Sequence, residues 1–294
     1  VKRAGVLLLM AAPVVVTGAY LLIPADTADA PSAPSAVTAP AASREAGGDR
    51  ADGRAEGAPA GLASPEKKEL AQQLVSSAEN STVEWRTSYG AIEDDGHGDG
   101  YTAGIIGFCT GTHDLLALVE RYTRARPDNG LARYLPALRA VDGTGSHEGL
   151  DPGFPDAWRA EAEVPAFRKA QEEERDRVYF DPAVRRAERD GLGALGQFVY
   201  YDAMVFHGPD TGPDGFYGLR ERAAERAATP AAGGSETDFL NAFLDVRRAA
   251  MLARRPGIDT SRIDTAQRRF LGAGNLALRT PLTWQTYGDT YRVP

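Results

Sequence analysis

Four acids and a histidine fall within a short stretch of this chain: Glu93, Asp94, Asp95, His97 and Asp99, in a loop broken by Gly96, Gly98 and Gly100. About a dozen residues earlier, Glu79 stands at the tail of an amphipathic stretch, and an apolar run from Tyr101 to Phe108 follows the loop directly. A carboxylic acid that gives up a proton, set opposite a second group able to take one, is a layout that hydrolysis of a glycosidic bond can use. The spacing alone is only suggestive, but several other chemistries are disfavoured outright. Ser76, Ser77 and Ser81 lack the G-x-S-x-G elbow of a serine hydrolase. Gly104-x-x-Gly107 has neither the Lys-Ser/Thr nor the G-x-G-x-x-G context of a phosphate loop. The four histidines (His97, His113, His147, His207) show no H-x-x-x-H pairing, so no metal is expected. The single Cys109 excludes an internal disulfide or a zinc–cysteine site, and its place after Ile105, Ile106 and Phe108 predicts burial.

These residues need elements to hold them. Ser64 and Pro65 are a helix-start signal, and Leu70, Leu74, Val75 and Ala78 mark the buried stripe of the helix that follows. At 100° per residue Glu79 lies about 40° beyond Val75, at the margin of that stripe, where a carboxylate can be half desolvated. A solvated helix-end glutamate is the competing reading. Tyr101 to Phe108 has the β-branched and aromatic content of a strand. Nearly everything after it reads as helix: Asp114 to Arg126, Leu131 to Val141, Trp158 to Tyr179, Ala183 towards His207, Phe216 to Ala228, Thr237 to Arg255 with Thr237 as cap, and Asp264 to Leu276. Asp181-Pro182 separates the two longest of these, and Leu282 to Val293 reads as a hairpin around Gly288-Asp289. The expected fold is therefore α+β and mainly helical, with a small sheet near its N-terminal side. The acidic run at 172–176 reads as a solvated helix face, and Trp85, Trp158 and Trp284 as core anchors more than sugar platforms.

The chain before this domain is of another kind. Lys2 and Arg3 precede an apolar run from Ala4 to Ile23, and Ala28, Asp29 and Ala30 supply an A-x-A-like exit. Residues 1–30 are accordingly expected to be a secretion signal of an extracellular protein, with an uncleaved anchor as the alternative. Residues 31–63 are Ala, Pro, Gly and Ser with scattered charges and no aromatic, the composition of a disordered spacer. One two-lobed domain is expected over residues 64–294. The whole chain carries 33 basic and 41 acidic side chains. Such a surface repels nucleic acid and anionic membrane and draws in a cationic partner. A monomer is the default expectation.

Several strings together resemble the family 46 glycoside hydrolases, the lysozyme-like chitosanases: LVSSAEN, IED, GYTAGIIGFCTGT, ERDRVYFDPAV, ALGQFVYYDA, HGP, NAFLDVRRAAM, DTSRIDTAQRRF and TYGD, covering Pro65 to Arg292. The resemblance implies two mostly helical lobes joined by a long bent helix, a cleft between them, chitosan as partner, and inverting hydrolysis of β-1,4 glucosamine links without a cofactor. It makes Glu79 the general acid, with Thr102 helping to hold the attacking water. Asp202, Arg247 and Arg262 match a buried ion network behind the acid. Asp94 and Asp114 match cleft carboxylates that pair with glucosamine ammonium groups. One position departs from the family. The slot of the basic aspartate holds His97, and the normally basic position two residues on holds Asp99. Three accounts stay open: Asp99 is the base, since residues two apart in an extended loop face the same way; His97 is the base, its ordinary pKa of ~6.5 suiting neutral pH; or the base is lost and the protein grips chitosan without cutting it. Asp95 is a weaker fourth candidate.

Overall fold

The computed structural model describes residues 61–294 apart from Asp95 and His97. The expected signal and all but the last residues of the spacer lie outside the described residues. Helix α1 (Pro65–Glu79) opens with Pro65 in its first turn, where a missing N–H costs nothing. Ser64 is extended and makes no side-chain cap; its carbonyl accepts the Lys68 amide at 2.8 Å instead. A 3₁₀ turn (Trp85–Gly90) leads into a three-stranded antiparallel sheet of β1 (Ile92–Glu93), β2 (Thr102–Ala103) and β3 (Phe108–Cys109). Thr102 on the central strand sits opposite Glu93 on one side and Cys109 on the other. The single strand expected over 101–108 is therefore two strands. Gly104 and Gly107, at φ +77° and +71°, fold the run back on itself, a conformation that costs side-chain-bearing residues about 1–2 kcal/mol.

Helices α2 (Asp114–Ala125), α3 (Leu135–Val141) and α4 (Phe154–Ala162) complete the first lobe. Helix α5 (Pro165–Arg175) then runs without a break through a π-helical turn (Asp176–Phe180) into α6 (Asp181–Arg189). The helix expected over 158–179 is instead cut at Val164, which Pro165 drives out of the helical region to φ −80°, ψ 120°. The break expected at Asp181-Pro182 is absent. The π turn lies directly before Pro182, whose ring and missing N–H an unbroken α-helix tolerates badly. The first half of this bent rod packs on α2 and α4 and its second half on α7, so it joins the lobes.

The second lobe is built from α7 (Ala194–His207), α8 (Phe216–Ala224), α9 (Glu236–Arg254), a second π turn (Arg262–Gln267) leading into α10 (Arg268–Gly272), and the hairpin β4 (Leu282–Thr286) and β5 (Asp289–Val293). The helix expected from Ala183 to His207 breaks around Gly191, at φ +78°. Ser235, not Thr237, caps α9, its Oγ accepting the Asp238 amide. The hairpin turns on Tyr287-Gly288, one residue earlier than expected, with both residues at positive φ as a two-residue turn that matches strand twist requires. Trp85, Trp158 and Trp284 are all interior, at 4%, 0% and 1% exposure. Trp284 Nε1 donates to Ser77 Oγ at 2.9 Å, tying the C-terminal hairpin to α1. The whole is a mainly helical α+β body of two lobes with the small sheet in the first.

Candidate active site

Glu79 is the last residue of α1, and its side chain is 19% exposed. The helix stops there because Asn80 leaves the helical region (φ −126°), and Asn80 Nδ2 donates to the Ile105 carbonyl at 3.2 Å. That bond fastens the helix end to the turn between β2 and β3. Glu79 Oε1 accepts Arg262 Nη2 at 2.7 Å, and the same nitrogen donates to Asp202 Oδ1 at 2.8 Å. Asp202 Oδ2 accepts Gln267 Nε2 at 2.6 Å and meets Arg247 Nη1 at 2.7 Å. Arg247 in turn donates to Gln267 Oε1 at 3.1 Å. One carboxylate, Asp202, thus anchors two buried guanidiniums, and one of these reaches forward to Glu79.

The electrostatics follow from that geometry. Burial pushes the Asp202 carboxyl up, but Arg262 and Arg247 outweigh it and hold the group well below the usual carboxylate range. Burial opposes the charge on Arg262, yet Asp202 and then Glu79 raise its pKa overall. Arg247 is lowered, by burial first and by the repulsion of Arg262. Phe206 lies beneath both guanidiniums, its ring centre 4.7 Å from Arg262 and 5.9 Å from Arg247. Next along α7, His207 is pushed down to about 2 by burial and by the same two arginines. The network thus holds a neutral imidazole behind two fixed cations.

Across from the helix end, Gly107 brings Thr102 and Glu79 together. A Cβ on Gly107 would stand 3.0 Å from Thr102 Cγ2 and 3.5 Å from Glu79 Oε2. With φ at +71° as well, the position favours a residue without a side chain. The loop that carries Asp99 is seated just as closely. The Asp99 carbonyl accepts both the Gly111 amide at 3.0 Å and Cys109 Sγ at 2.8 Å. A Cβ on Gly145 would be 2.4 Å from the Gly98 carbonyl, and one on Gly111 2.6 Å from that of Asp99. The Asp99 carboxylate itself is about half exposed and forms an ion pair with Arg254 Nη2 at 3.5 Å.

The remaining expected residues stand apart from this chain of contacts. Asp94 is exposed, accepts the Gly96 amide at 2.8 Å, and lies 3.1 Å from His147 Nε2, out of line for a hydrogen bond. Asp114, at the start of α2, is already occupied. It accepts the Cys109 amide at 2.8 Å, Thr112 Oγ1 at 2.9 Å and Tyr179 Oη at 2.6 Å. Burial raises its carboxyl despite those donors, of which Tyr179 counts most. His97 lies outside the described residues. Among the described residues no three His, Cys, Asp or Glu side chains converge as a metal would require.

Sequence reasoning passed over Gln267, Phe206 and Arg254. Gln267 follows Arg262 by five residues, a spacing that shares a face in a π turn and not in an α-helix, and the helix expected from the sequence starts only at Asp264. Arg254 ends α9, and only folding brings it to Asp99.

A carboxyl group held at a helix end by a buried arginine, in a mainly helical two-lobed body, is an arrangement suited to a glycoside hydrolase. Comparison narrows this further. Residues 73–282 match the profile of glycosyl hydrolase family 46. A chitosanase of Streptomyces sp. (strain N174) is 59% identical over 79% of this chain and 84% of its own, and one of Nocardioides sp. (strain N106) is 53% identical over the same shares. Among solved structures, chitosanase OU01 with substrate is 52% identical with a TM-score of 0.78, covering 80% of this chain and 99% of that one. A Gynuella sunshinyii chitosanase with chitotetraose is 34% identical with a TM-score of 0.71, covering 77% and 97%. The chain belongs to glycosyl hydrolase family 46.

Proposed function

We propose that this protein is a secreted endo-acting chitosanase that hydrolyses β-1,4 links between glucosamine units with inversion. Glu79 protonates the leaving glycosidic oxygen. Asp99 takes a proton from a water that attacks the anomeric carbon on the opposite face, and Thr102 helps to hold that water. Inversion requires the two carboxyl groups to stand ~6.5–9.5 Å apart, leaving room for the water. Asp94 and the other exposed acids of the first lobe supply the negative field that gathers a polycation.

The observation that carries this reading is the relay Arg247–Asp202–Arg262–Glu79, which fixes the rotamer of one cleft carboxyl group from behind. The similarity to chitosanases supports the substrate. Asp99 is favoured as base because its backbone is pinned to Cys109 and Gly111, beside the strand that pairs with Thr102. The test is hydrolysis of chitosan by the purified protein, followed by viscosity and by reducing ends. Glu79→Gln should abolish product release, and Asp99→Asn should do the same while His97→Ala leaves most of it. If His97→Ala is the silent enzyme and Asp99→Asn the active one, the base is the histidine. A wild type that binds chitosan and releases nothing above the Glu79→Gln background overturns the hydrolase reading, leaving a binding protein. The anomeric form of the first product, read by NMR, decides inversion.

A further inference from the structure

Two ion pairs join residues carried by different lobes, and they differ in kind. The inner one, Arg262 to Glu79, is 2.7 Å long with an arginine only 3% exposed, and Asp202 braces it from behind. The outer one, Arg254 to Asp99, is 3.5 Å long, and its side chains are 53% and 48% exposed. That distance exceeds the 2.7–2.9 Å of a charge-assisted hydrogen bond, and a pair so open to water is among the weakly held ones. Asp99 sits on the loop between β1 and β2, pinned by its own carbonyl. Arg254 is the last residue of α9, which packs against α7, α8 and α10. The contact therefore runs from lobe to lobe at the surface, between two elements each anchored on its own side.

We propose that Arg254 is an internal stand-in for the substrate's ammonium group: it pairs with the Asp99 carboxylate and is displaced when a cationic sugar chain enters. The proposal rests on the reading of the substrate as a glucosamine polymer. An ammonium group and a guanidinium compete for the same carboxylate, so binding must break this contact before Asp99 can face water or sugar. The released guanidinium has a favourable place to fall back to, because it stands at the C-terminal end of α9, where the helix dipole attracts a cation. The device makes the cleft selective for chains charged enough to win the exchange. A neutral, fully acetylated chain has nothing to offer Asp99 in return for Arg254.

The test is direct binding of a glucosamine hexamer, by calorimetry, in the Glu79→Gln background, where no turnover confuses the affinity. Adding Arg254→Ala should lower Kd about fivefold at low salt, equivalent to about 1 kcal/mol. The gain should vanish towards 1 M salt, where the screening length is about 3 Å. Arg254→Lys, which keeps the charge, should stay near the parent. With Asp99→Asn already present, Arg254→Ala should change affinity much less, because the competition has lost its object. The proposal is overturned if Arg254→Ala weakens binding, which would make the arginine a sugar ligand, or if its effect is the same with and without Asp99. Failure of the functional reading looks different: wild type then releases no product from chitosan, or no variant binds the hexamer.

Discussion

Asp202→Asn is the perturbation that probes the site most sharply. The native carboxylate satisfies three donors from Arg262, Arg247 and Gln267 within 2.8 Å. An asparagine of nearly the same shape offers one oxygen and one NH₂ group, so at least one guanidinium or amide then faces a donor. The charge is lost as well, leaving two guanidiniums no more than 3% exposed with Glu79 as their nearest counter-charge. Breaking a buried pair by removing one partner costs about 3–5 kcal/mol. For a domain of this size each kcal/mol is worth roughly 2–4 °C in Tm, so the variant should melt roughly 6–20 °C lower. Arg262 should also swing towards Glu79, and kcat on chitosan should fall by far more than KM changes. The pH dependence has a definite sign. The native Asp202 carboxyl is held below its unfolded value of about 3.9, so its contribution is complete above that pH and fades as pH falls through the native value. The gap in Tm between wild type and variant should accordingly narrow below about pH 4. Scanning calorimetry across pH checks both parts. A variant melting within ~2 °C of wild type, less than one kcal/mol by the same scaling, refutes the claim that this carboxylate anchors the network.

The loop bearing Asp99 offers a second test. Gly145 has no positive φ, so alanine there is opposed only by the 2.4 Å approach of its Cβ to the Gly98 carbonyl. Gly145→Ala should push the loop by roughly 1 Å, a displacement able to cost about 10²-fold in rate. Steady-state kinetics should show the loss mainly in kcat, while Gly272→Ala, whose Cβ meets nothing within 4 Å, should behave as wild type. His207 supplies a third. Its native pKa is held down to about 2, so below about pH 6.5 the unfolded chain takes up a proton that the native one refuses, and stability falls as pH falls. His207→Asn removes that proton uptake, so its melting temperature should decline less steeply than that of wild type between about pH 6.5 and pH 4. Parallel slopes would show that the imidazole is not held neutral.

The helical fold class and the position of Glu79 at a helix end were legible in the linear chain, because hydrophobic periodicity and a Ser-Pro start act within a few residues of each other. So was the interior place of Cys109, set by its apolar neighbours. Family motifs added Asp202, Arg247 and Arg262, whose mutual contact no local pattern could announce: they lie on three separate elements and meet only when α7, α9 and the second π turn pack. What composition and spacing could not decide depends on backbone geometry acting at a distance. The π turns shift which residues share a face, and so hid Gln267 and joined two helices across Pro182. Gly107 matters because of what faces it from α1, and Asp99 because Arg254 reaches it from 155 residues away along the chain. Sequence settled which groups could carry charge and protons; tertiary packing alone decided their partners, because an ion pair or a close approach is a property of two surfaces and not of either one.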